Sequence, residues 1–371
     1  MQTILITGAN GFIGRNLVAT LQATQPDLNL LLFDVQHTLD DLRAFVQAAD
    51  FVFHLAGVNR PQSVDEFTSG NVGLTDQLIS LLIEQGRPVP LMVSSSIQAM
   101  LDNPYGQSKR QAEELVLAYG NQTGSPVYVY RFPNVFGKWC RPNYNSAVAT
   151  FCHHTANDLP ITINDPSVVM RLVYIDDVVD ELVRAMHGQP TCEDQYCTVP
   201  IIHTATLGDI VERIRSFKET RTDRSVPDMG DPLTKKLFST YLSYLPTDQF
   251  SYPLKMNVDH RGSFTEFLKT SDRGQVSVNI SRPGIVKGNH WHHSKNEKFL
   301  VVSGTGIIRF RAIDSTDVLE YPVSGDKLEV VDIPTGYTHQ IENLGDSDLV
   351  TVMWANEAFD PAKPDTYFLE V

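Results

Sequence analysis

The first 190 residues alternate short runs of apolar, β-branched residues with longer amphipathic segments. The short runs are typical of buried strands, and the longer segments repeat their apolar positions at helical spacing. The predicted strands are Thr3–Thr7, Leu30–Asp34, Phe51–Leu55, Pro90–Ser94 and Val127–Tyr130, and the predicted helices include Phe12–Gln22, Thr75–Gln85 and Pro104–Tyr119. Strands that alternate with helices predict a parallel sheet covered by helices, that is, an α/β domain.

The α/β pattern continues to about residue 218 and then changes. Residues 166–190 and 205–218 carry further strand and helix signals, which we interpret as a small cap on the α/β domain. Residues 219–251 combine charges, prolines and aromatics, which indicates a helix followed by a connector. The strands predicted after it are Gln275–Ile280, Lys298–Val302, Gly306–Arg311, Asp317–Val323, Lys327–Ile333 and Val350–Asn356. These short strands, separated by turn residues, predict an all-β sandwich or barrel, with domains at 1–245 and 246–371.

Net charge limits the partners of the chain. Its 371 residues include 30 Lys and Arg against 44 Asp and Glu, which gives a net charge of −14. The resulting field repels nucleic acids and anionic membrane surfaces, so we expect neither as a partner. A small anionic ligand stays possible, because backbone amides and a few local cations can hold it.

Cysteine content and apolar runs indicate the compartment. The four cysteines (Cys140, Cys152, Cys192 and Cys197) form no C-x-x-C motif, and we expect four reduced thiols. The N-terminus does not resemble a signal peptide, and no apolar run approaches the roughly 18 residues that span a bilayer. The sequence therefore predicts a cytoplasmic protein without membrane insertion.

A glycine-rich turn follows the first predicted strand. Gly8 and Gly11 permit a tight turn with its backbone close to a pyrophosphate, and Gly14 lets the next helix lie close to the strand. The free amides at the helix start then bind phosphate. Asp34, at the end of the second strand, can accept hydrogen bonds from the adenosine ribose and favours NAD(H). Arg15 could instead pair with the 2′-phosphate of NADPH, and the residues alone leave both cofactors open.

A tyrosine and a lysine lie four residues apart at the start of the predicted helix Pro104–Tyr119. Tyr105 and Lys109 therefore share one helix face. A phenol titrates near pH 10 and is a poor acid-base catalyst at neutral pH unless a nearby cation lowers its pKa. Lys109 supplies that cation. Ser96, just after a strand, could hydrogen-bond the same substrate oxygen. Alternatively, Tyr105 and Lys109 could be a solvent-facing pair on a surface helix. The glycine turn upstream favours the catalytic interpretation.

These motifs resemble those of the extended short-chain dehydrogenase/reductases over residues 1–215. The matching segments are Thr7-Gly8-x-x-Gly11-x-x-Gly14, His54-Leu-Ala-Gly57, Ser94-Ser-Ser96, Tyr105-x-x-x-Lys109, Arg131-x-x-Asn134-x-x-Gly137 and Tyr174-x-Asp176-Asp177. The resemblance implies a Rossmann-type doubly wound sheet and nucleotide-sugar substrates. It makes Ser96 the catalytic hydroxyl, Tyr105 the proton donor and Lys109 the ribose anchor. Ile97 and Gln98 replace the Asp-Glu pair of the sugar-nucleotide 4,6-dehydratases, which disfavours dehydration.

The same resemblance gives a set of candidate binding residues. The cofactor set is Gly8, Asn10, Gly11, Phe12, Ile13, Gly14, Arg15, Asp34, Leu55, Ala56, Gly57, Tyr105 and Lys109. Asn134, Asn145 and Arg171 are candidate contacts of the nucleotide sugar. Each of these three residues could equally be a capping or surface residue.

The β domain contains three histidines and a carboxylate that could bind one metal ion. Alternation along a strand sends His290 and His292 to the same face. Glu297 and His339 could complete a pocket for Zn²⁺ or another divalent transition metal. Four ligand-type residues at these spacings are much rarer by chance than one structural histidine, so we predict a metal site.

The spacings in the β domain resemble those of both cupin motifs, over about residues 250–371. That resemblance implies a cupin barrel. Asp259-x-Arg261-Gly262-x-Phe264-x-Glu266 and Lys287-Gly-x-His290 are also similar to the 3,5-epimerases of the rhamnose pathway, which implies a catalytic base at His290. His290 therefore has two candidate roles, metal ligand and base, and the sequence does not choose between them.

Three further segments accompany the two modules: Gly137-Lys-Trp-Cys-Arg-Pro-Asn-Tyr-Asn145-Ser146, Tyr241-Leu-Ser-Tyr-Leu-Pro246 and Gly288-Asn-His-Trp-His-His293. With the order of the modules, they resemble the bifunctional enzymes of capsular polysaccharide synthesis from end to end. The resemblance implies C3 epimerisation of a UDP-4-keto-6-deoxy sugar by the cupin and C4 reduction by the first domain. The implied product is UDP-2-acetamido-2,6-dideoxy-β-L-talose, on the way to UDP-N-acetyl-L-fucosamine, with NADPH as reductant, zinc in the cupin and a homodimer. The alternative is an NAD-dependent C4 epimerase with a noncatalytic cupin dimerisation module.

Overall fold

The computed structural model describes residues 1–61, 63 and 65–371. Two compact units make up the chain. The first contains Met1–Arg215 and Lys236–Pro246, and the second contains Ser216–Lys235 and Thr247–Val371.

This division differs from the predicted domains, 1–245 and 246–371, at residues 216–235. That segment belongs to the second unit because its backbone forms hydrogen bonds with Lys269 of that unit. Val226 N donates to the Lys269 carbonyl oxygen at 2.9 Å, and Lys269 N donates to the Arg224 carbonyl oxygen at 2.8 Å. Arg224 also forms an ion pair with Glu266 at 2.8 Å. The sequence did not predict this pairing, because residues 216–235 are charged, contain prolines and show no clear periodicity of apolar positions.

A parallel sheet organises the first unit. The strands of this unit are β1 Thr3–Thr7, β2 Asn29–Phe33, β3 Phe51–His54, β4 Leu91–Ser96, β5 Val127–Phe132, β6 Asn134–Phe136, β7 Val169–Tyr174, β8 Cys192–Glu193, β9 Tyr196–Cys197 and β10 His203–Thr206. The main sheet has the order β2-β1-β3-β4-β5-β9-β8, and its strands β1 to β5 pair in parallel. A smaller sheet has the order β10-β7-β6. Each of the five predicted strands overlaps one of β1 to β5.

Helices cover both faces of the main sheet. The helices of the chain are α1 Phe12–Thr24, α2 Leu39–Ala48, α3 Asp65–Phe67, α4 Leu74–Glu84, α5 Pro104–Thr123, α6 Ala147–Ala156, α7 Ile175–Met186, α8 Leu207–Asp223 and α9 Pro232–Leu242. Successive side chains of β1 point to opposite faces of the sheet. Ile4 and Ile6 pack with α1 and α7, whereas Leu5 packs with α2, α4 and α5. The predicted α/β fold, a doubly wound parallel sheet, is confirmed.

Antiparallel strands build the second unit. They are β11 Asn257–Asp259, β12 Gly262–Thr270, β13 Gly274–Ser281, β14 Val286–Trp291, β15 Glu297–Ser303, β16 Thr305–Ala312, β17 Val318–Ser324, β18 Val330–Ile333, β19 Tyr337–Asn343, β20 Leu349–Ala355 and β21 Tyr367–Phe368. One sheet has the order β11-β12-β13-β20-β15-β18 and the other has the order β17-β16-β19-β14-β21. Phe299, Ile308 and Ile341 are buried in the apolar core that both sheets share. The prediction of an all-β domain is confirmed.

The expectation of four reduced thiols is wrong for one pair of cysteines. Cys192 and Cys197 form a disulfide, while Cys140 and Cys152 are free and buried. The reason is local, since β8 and β9 form an antiparallel hairpin in which Cys192 and Cys197 are direct cross-strand partners.

Within the described parts of the chain, no helix combines the length and the apolar composition that crossing a membrane requires.

Candidate functional site

The glycine turn after β1 is shaped by contacts between backbone atoms. Gly8 has a φ of +69°, and a Cβ on it would lie 2.7 Å from the Ala56 nitrogen. A Cβ on Gly14 would lie 2.2 Å from the Gly8 carbonyl oxygen. Helix α1 begins directly after the turn, and Gly11 caps it without a side chain. The amides at this helix start are therefore open to an anionic ligand.

A cavity of about 770 Å³ opens in front of this turn. It brings together most of the predicted cofactor and substrate residues. The predicted residues in its lining are Gly8, Asn10, Gly11, Phe12, Ile13, Gly14, Arg15, Leu55, Gly57, Ser96, Tyr105, Lys109, Asn134 and Asn145. Asp34, Ala56 and Arg171 are not among the lining residues. Arg171 is exposed on β7, and its carbonyl oxygen accepts a hydrogen bond from Asn134 Nδ2 at 3.1 Å.

Two residues bear on the choice of cofactor, and they make different contacts: Asp34 accepts hydrogen bonds from backbone amides, and Arg15 lies against an aromatic ring. Asp34 Oδ2 accepts a hydrogen bond from Asn10 N at 2.7 Å, and Oδ1 accepts one from Val35 N at 2.8 Å. The Asp34 carboxylate thus fastens the glycine turn to the end of β2. The Arg15 guanidinium carbon lies 5.0 Å from the centre of the Trp139 ring, a cation–π distance.

The start of α5 holds the tyrosine and lysine of the cavity. The Asn103 side chain accepts a hydrogen bond from Gly106 N at 2.8 Å and caps this helix. Tyr105 Oη donates to Asn59 Oδ1 at 2.9 Å. Burial raises the pKa of Tyr105 above its ordinary value, and a hydrogen bond with Ser96 acts in the opposite direction. Tyr105 and Ser96 therefore face one another inside the cavity. The lowered pKa expected from the Lys109 charge is not found, because burial of the phenol outweighs the effects that would lower it.

Lys109 lies one helical turn below Tyr105 and is almost fully buried. Its Nζ donates to the Ser94 carbonyl oxygen at 3.1 Å, at the end of β4. Burial lowers the pKa of Lys109 to about 8, and the negative charge of Glu113 acts against that shift. Gly57 leaves the room that the ammonium needs, because a Cβ there would lie 3.1 Å from Nζ.

Sequence reasoning missed two buried residues that support this arrangement. Asn71 lies in a π-helical turn, Thr68–Gly73, and its Nδ2 donates to Ser108 Oγ at 3.0 Å. Glu113 accepts from Arg131 Nε at 2.9 Å and Nη2 at 2.6 Å, and also from the Ser95 hydroxyl. The sequence contains a signal for Glu113 alone, since it follows Lys109 by four residues on one helix face.

Asn59, the acceptor of the Tyr105 hydroxyl, was also missed. It lies just beyond the carboxyl end of β3. In open parallel sheets, ligands bind at the carboxyl ends of the strands, so this position was a signal that the sequence contained.

The second unit brings His290, His292, Glu297 and His339 together. One ligand atom from each of these residues lies within 4.8 Å of the others. The Nε2 atoms of His292 and His339 lie 3.5 and 3.6 Å from Glu297 Oε2. All three of these atoms are buried, and no described residue forms a hydrogen bond with any of them. Three imidazoles and a carboxylate with unpaired buried donor atoms fit a borderline divalent cation such as Zn²⁺.

Charge states in this cluster suit metal binding. Burial, together with the nearby His339 and His292, lowers the pKa of His290 to about 4, so its ring is neutral at pH 7. Burial alone would raise the pKa of Glu297, but His292 and His339 outweigh it and hold that pKa well below the usual range. A neutral imidazole and an ionised carboxylate are the forms that bind a metal, so His290 and Glu297 suit a metal site.

A cavity of about 580 Å³ adjoins the cluster and is lined by His290, Glu297 and His339. Lys287 also lines it, because the register of β14 shifts between Gly288 and His290. The Lys287 ammonium donates to Asn279 Oδ1 and to the Ile280 carbonyl oxygen, each at 2.8 Å. Burial lowers the pKa of Lys287. The shift puts a cation and an imidazole three residues apart on one side of the strand.

Comparison with known proteins identifies the family. Residues 4–191, just over half of the chain, match the NAD dependent epimerase/dehydratase family. The chain belongs to this family. Residues 257–367 match the polysaccharide biosynthesis C-terminal domain. A member of the epimerase/dehydratase family thus continues here into a second, separately recognised domain.

Relatives of this family member match it over its whole length. A UDP-2-acetamido-2,6-beta-L-arabino-hexul-4-ose reductase of Pseudomonas aeruginosa is 46% identical over 368 residues, 99% of this chain and 98% of the relative. The crystal structure of the capsular polysaccharide assembling protein CapF from Staphylococcus aureus is 56% identical, covers 99% of this chain and 100% of its own, and has a TM-score of 0.94. The predicted resemblance to capsular polysaccharide enzymes is confirmed.

More distant solved structures share only the fold of the first unit. A UDP-glucuronic acid 4-epimerase from Bacillus cereus, in complex with UDP-glucuronic acid and NAD, is 18% identical and covers 66% of this chain and 99% of its own, with a TM-score of 0.55. At this identity the likeness supports the doubly wound architecture alone.

Proposed function

We propose that the chain is a bifunctional nucleotide-sugar enzyme of capsular polysaccharide precursor synthesis. The second unit, as a cupin, inverts C3 of a UDP-4-keto-6-deoxy-N-acetylhexosamine, and the first unit reduces C4 with NADPH. The product is UDP-2-acetamido-2,6-dideoxy-β-L-talose, which leads towards UDP-N-acetyl-L-fucosamine. The observation that carries the proposal is one cavity in which Ser96, Tyr105 and Lys109 face the glycine turn. The name of the Pseudomonas aeruginosa reductase supports the substrate class.

In the first unit, the residues of the chain bind the nucleotide and supply a proton. NADPH, when bound, supplies the hydride that reduces the C4 carbonyl carbon. The Tyr105 hydroxyl gives its proton to the C4 oxygen, so that hydride and proton together convert the ketone to an alcohol. The raised pKa of Tyr105 keeps this donor protonated at neutral pH. Ser96 donates a hydrogen bond to the same oxygen, and the Lys109 ammonium stabilises the negative charge that develops beside it.

In the second unit, the C4 ketone makes the C3 proton acidic. A base of the chain removes this proton, an enolate forms, and reprotonation from the opposite face inverts C3. His290, neutral at pH 7 and open to the cavity, is our candidate base and also a candidate metal ligand. Lys287 lines the same cavity and can stabilise negative charge on the substrate. A zinc ion, when bound by the cluster, supplies further positive charge.

The proposal includes an assignment of cofactors and assembly. We assign NADPH to the first unit, Zn²⁺ to the cluster in the second, and a homodimer to the whole enzyme. Arg15 lines the cavity and is available to a 2′-phosphate. The unpaired Nε2 atoms of His292 and His339 support the metal.

One observation favours a second candidate function, an NAD-dependent C4 epimerase with a noncatalytic dimerisation module. Asp34 Oδ2 is fixed by Asn10 N at the end of β2, where a carboxylate repels a 2′-phosphate. Tightly bound NAD in the purified protein, with no net consumption of NADPH, would establish this alternative.

Turnover of the UDP-4-keto sugar in deuterated water, followed by NMR with and without NADPH, tests the division of labour. Tyr105→Phe should abolish NADPH oxidation and leave C3 deuterium exchange intact. His290→Ala should abolish the exchange and leave hydride transfer to the ketone. Loss of both activities in either variant would contradict separate sites, and unchanged product stereochemistry in His290→Ala would make the second unit noncatalytic.

Matched substitutions control for effects on folding. Tyr128→Phe removes a phenol hydroxyl from the first unit outside its cavity, and His293→Ala removes an exposed imidazole next to His292. Both control variants should keep both activities.

A further inference from the structure

We propose that Asp365, near the end of the chain, is the positioning residue of the metal cluster. The inference rests on the proposed metal site and adds a residue that acts through the ligands. The C-terminal segment returns to the ligand strand as β21, which pairs with β14 so that Trp291 lies opposite Tyr367. This pairing brings Asp365 beside the loop that joins His292 to Glu297.

The Asp365 backbone fixes the orientation of one ligand. Its carbonyl oxygen lies 2.6 Å from His292 Nδ1. Because a carbonyl only accepts, His292 Nδ1 carries the proton, and the lone pair is on Nε2. That atom faces Glu297 Oε2 at 3.5 Å. Hydrogen bonds of this kind fix the tautomer and ring orientation of metal-binding histidines.

The Asp365 side chain holds the loop between two ligands. Its Oδ1 accepts from His293 N at 3.0 Å. Its Oδ2 accepts from Ser294 N at 2.9 Å, from Lys295 N at 2.8 Å and from Ser294 Oγ at 3.0 Å. One carboxylate therefore binds three consecutive amides of the short connection from His292 to Glu297. The spacing of those two ligands depends on this anchor.

Asp365 adopts a backbone conformation that side chains rarely occupy. Its φ is +37°, and residues other than glycine keep such values only where the surrounding contacts hold them. Here that conformation lets the backbone carbonyl reach His292 while the carboxylate reaches the loop. The two functions of Asp365 therefore depend on one another, so loss of the side chain should also loosen the bond to His292.

Metal affinity and ligand geometry test the proposal in the full-length protein. Zn²⁺ affinity is measured by competition with a chromophoric chelator, and ligand geometry by the visible spectrum of the Co²⁺-loaded protein. Asp365→Ala should lower Zn²⁺ affinity about 10- to 100-fold and change the Co²⁺ spectrum. Asp365→Asn keeps one acceptor oxygen and should fall between Asp365→Ala and the wild type, which provides a second test if the alanine variant does not fold.

Asp360→Ala is the matched control, because Asp360 lies in the same terminal segment and accepts from Ala362 N, within that segment. It should bind Zn²⁺ like the wild type. Wild-type affinity and an unchanged Co²⁺ spectrum in a folded Asp365 variant would overturn the positioning role alone. A wild-type protein that binds no Zn²⁺ would overturn the metal site itself, and the role of Asp365 with it.

Discussion

Burial sets the protonation states of the ionisable residues beside the glycine turn. It lowers the pKa of Lys109 to about 8, against the charge of Glu113, and it raises the pKa of Tyr105. Near neutral pH, Lys109 is therefore a cation and Tyr105 a neutral phenol. These are the states that a proton donor and its electrostatic support require.

We expect the rate of ketone reduction to fall above pH 8. Lys109 is charged below its pKa and loses its proton as the pH rises through about 8, whereas Tyr105, with its raised pKa, stays protonated. The logarithm of kcat/KM for reduction should therefore decrease by about one per pH unit above that value. Stopped-flow measurement of NADPH oxidation from pH 6 to 10 checks this.

Lys138→Ala is the control for the pH profile, because Lys138 pairs with Asp176 and does not line the cavity. Its profile should match that of the wild type. A wild-type profile that is flat to pH 9.5 would show that the charge of Lys109 does not support reduction.

Side-chain hydrogen bonds join separate secondary-structure elements beneath the glycine turn. Thr75 Oγ1 donates to the Asn71 carbonyl oxygen at 2.6 Å, so it accepts from His54 Nε2 at 2.9 Å. His54 Nδ1 then accepts from Thr7 Oγ1 at 2.7 Å. Burial, aided by the charge of Lys109, lowers the pKa of His54 to about 3, which keeps its ring neutral. This chain of bonds connects α4, β3 and β1.

The close approach of α1 to the turn predicts the effect of one added methyl group. In Gly14→Ala the new Cβ would lie 2.2 Å from the Gly8 carbonyl oxygen, so the helix and the turn must separate. We expect NADPH affinity to fall at least about tenfold, since the amides at the helix start move away from the pyrophosphate. Fluorescence titration with NADPH measures this.

Gly73→Ala makes the same chemical change on helical backbone, where the new Cβ would meet its nearest atom at 3.8 Å. It should keep the wild-type affinity for NADPH. Equal affinities in Gly14→Ala and Gly73→Ala would show that the close contact between helix and turn is not needed.

The whole molecule combines two compact units, and each contains its own cavity. The first holds the Tyr105 and Lys109 cavity, and the second holds the histidine cluster. The four residues that could hold a metal ion are three histidines and a glutamate, while the cysteines lie in the first unit as one disulfide and two buried thiols. A net charge of −14 opposes polyanions, and local amides and cations still allow a nucleotide sugar to bind.

Metal removal should therefore separate the two activities. After treatment with a chelator, C3 deuterium exchange should fall, because the enolate loses the positive charge that a zinc ion bound by the cluster of the second unit would supply. NADPH affinity, which depends on the first unit, should stay within about twofold. NMR and fluorescence titration measure the two quantities, and added Zn²⁺ should restore the exchange. Full exchange in metal-free protein would leave the metal with a structural role.

Most of the fold and the central residues of both candidate sites could be predicted from the sequence. The glycine turn was predicted from the spacing of its glycines after the first strand. Tyr105 and Lys109 were predicted from their separation of four residues along one helix. The cluster of His290, His292, Glu297 and His339 was also predicted, because His290 and His292 alternate along one strand and therefore share a face. Asn71 and Asp365 could not be found in this way, since neither lies in a periodic pattern with the residues that it contacts.

The sequence by itself determined which segments form the main strands and helices and where the glycine turn lies. These features depend on the periodicity of apolar residues and on residues that are neighbours along the chain. Tertiary structure decided what lies far apart along the chain, such as the bond between His292 and Asp365, 73 residues apart. It also decided that residues 216–235 belong to the second unit and that Lys287 lines the cavity beside the histidine cluster. Strand pairing fixes such contacts, and pairing between distant strands is a property of the folded sheet rather than of any local segment.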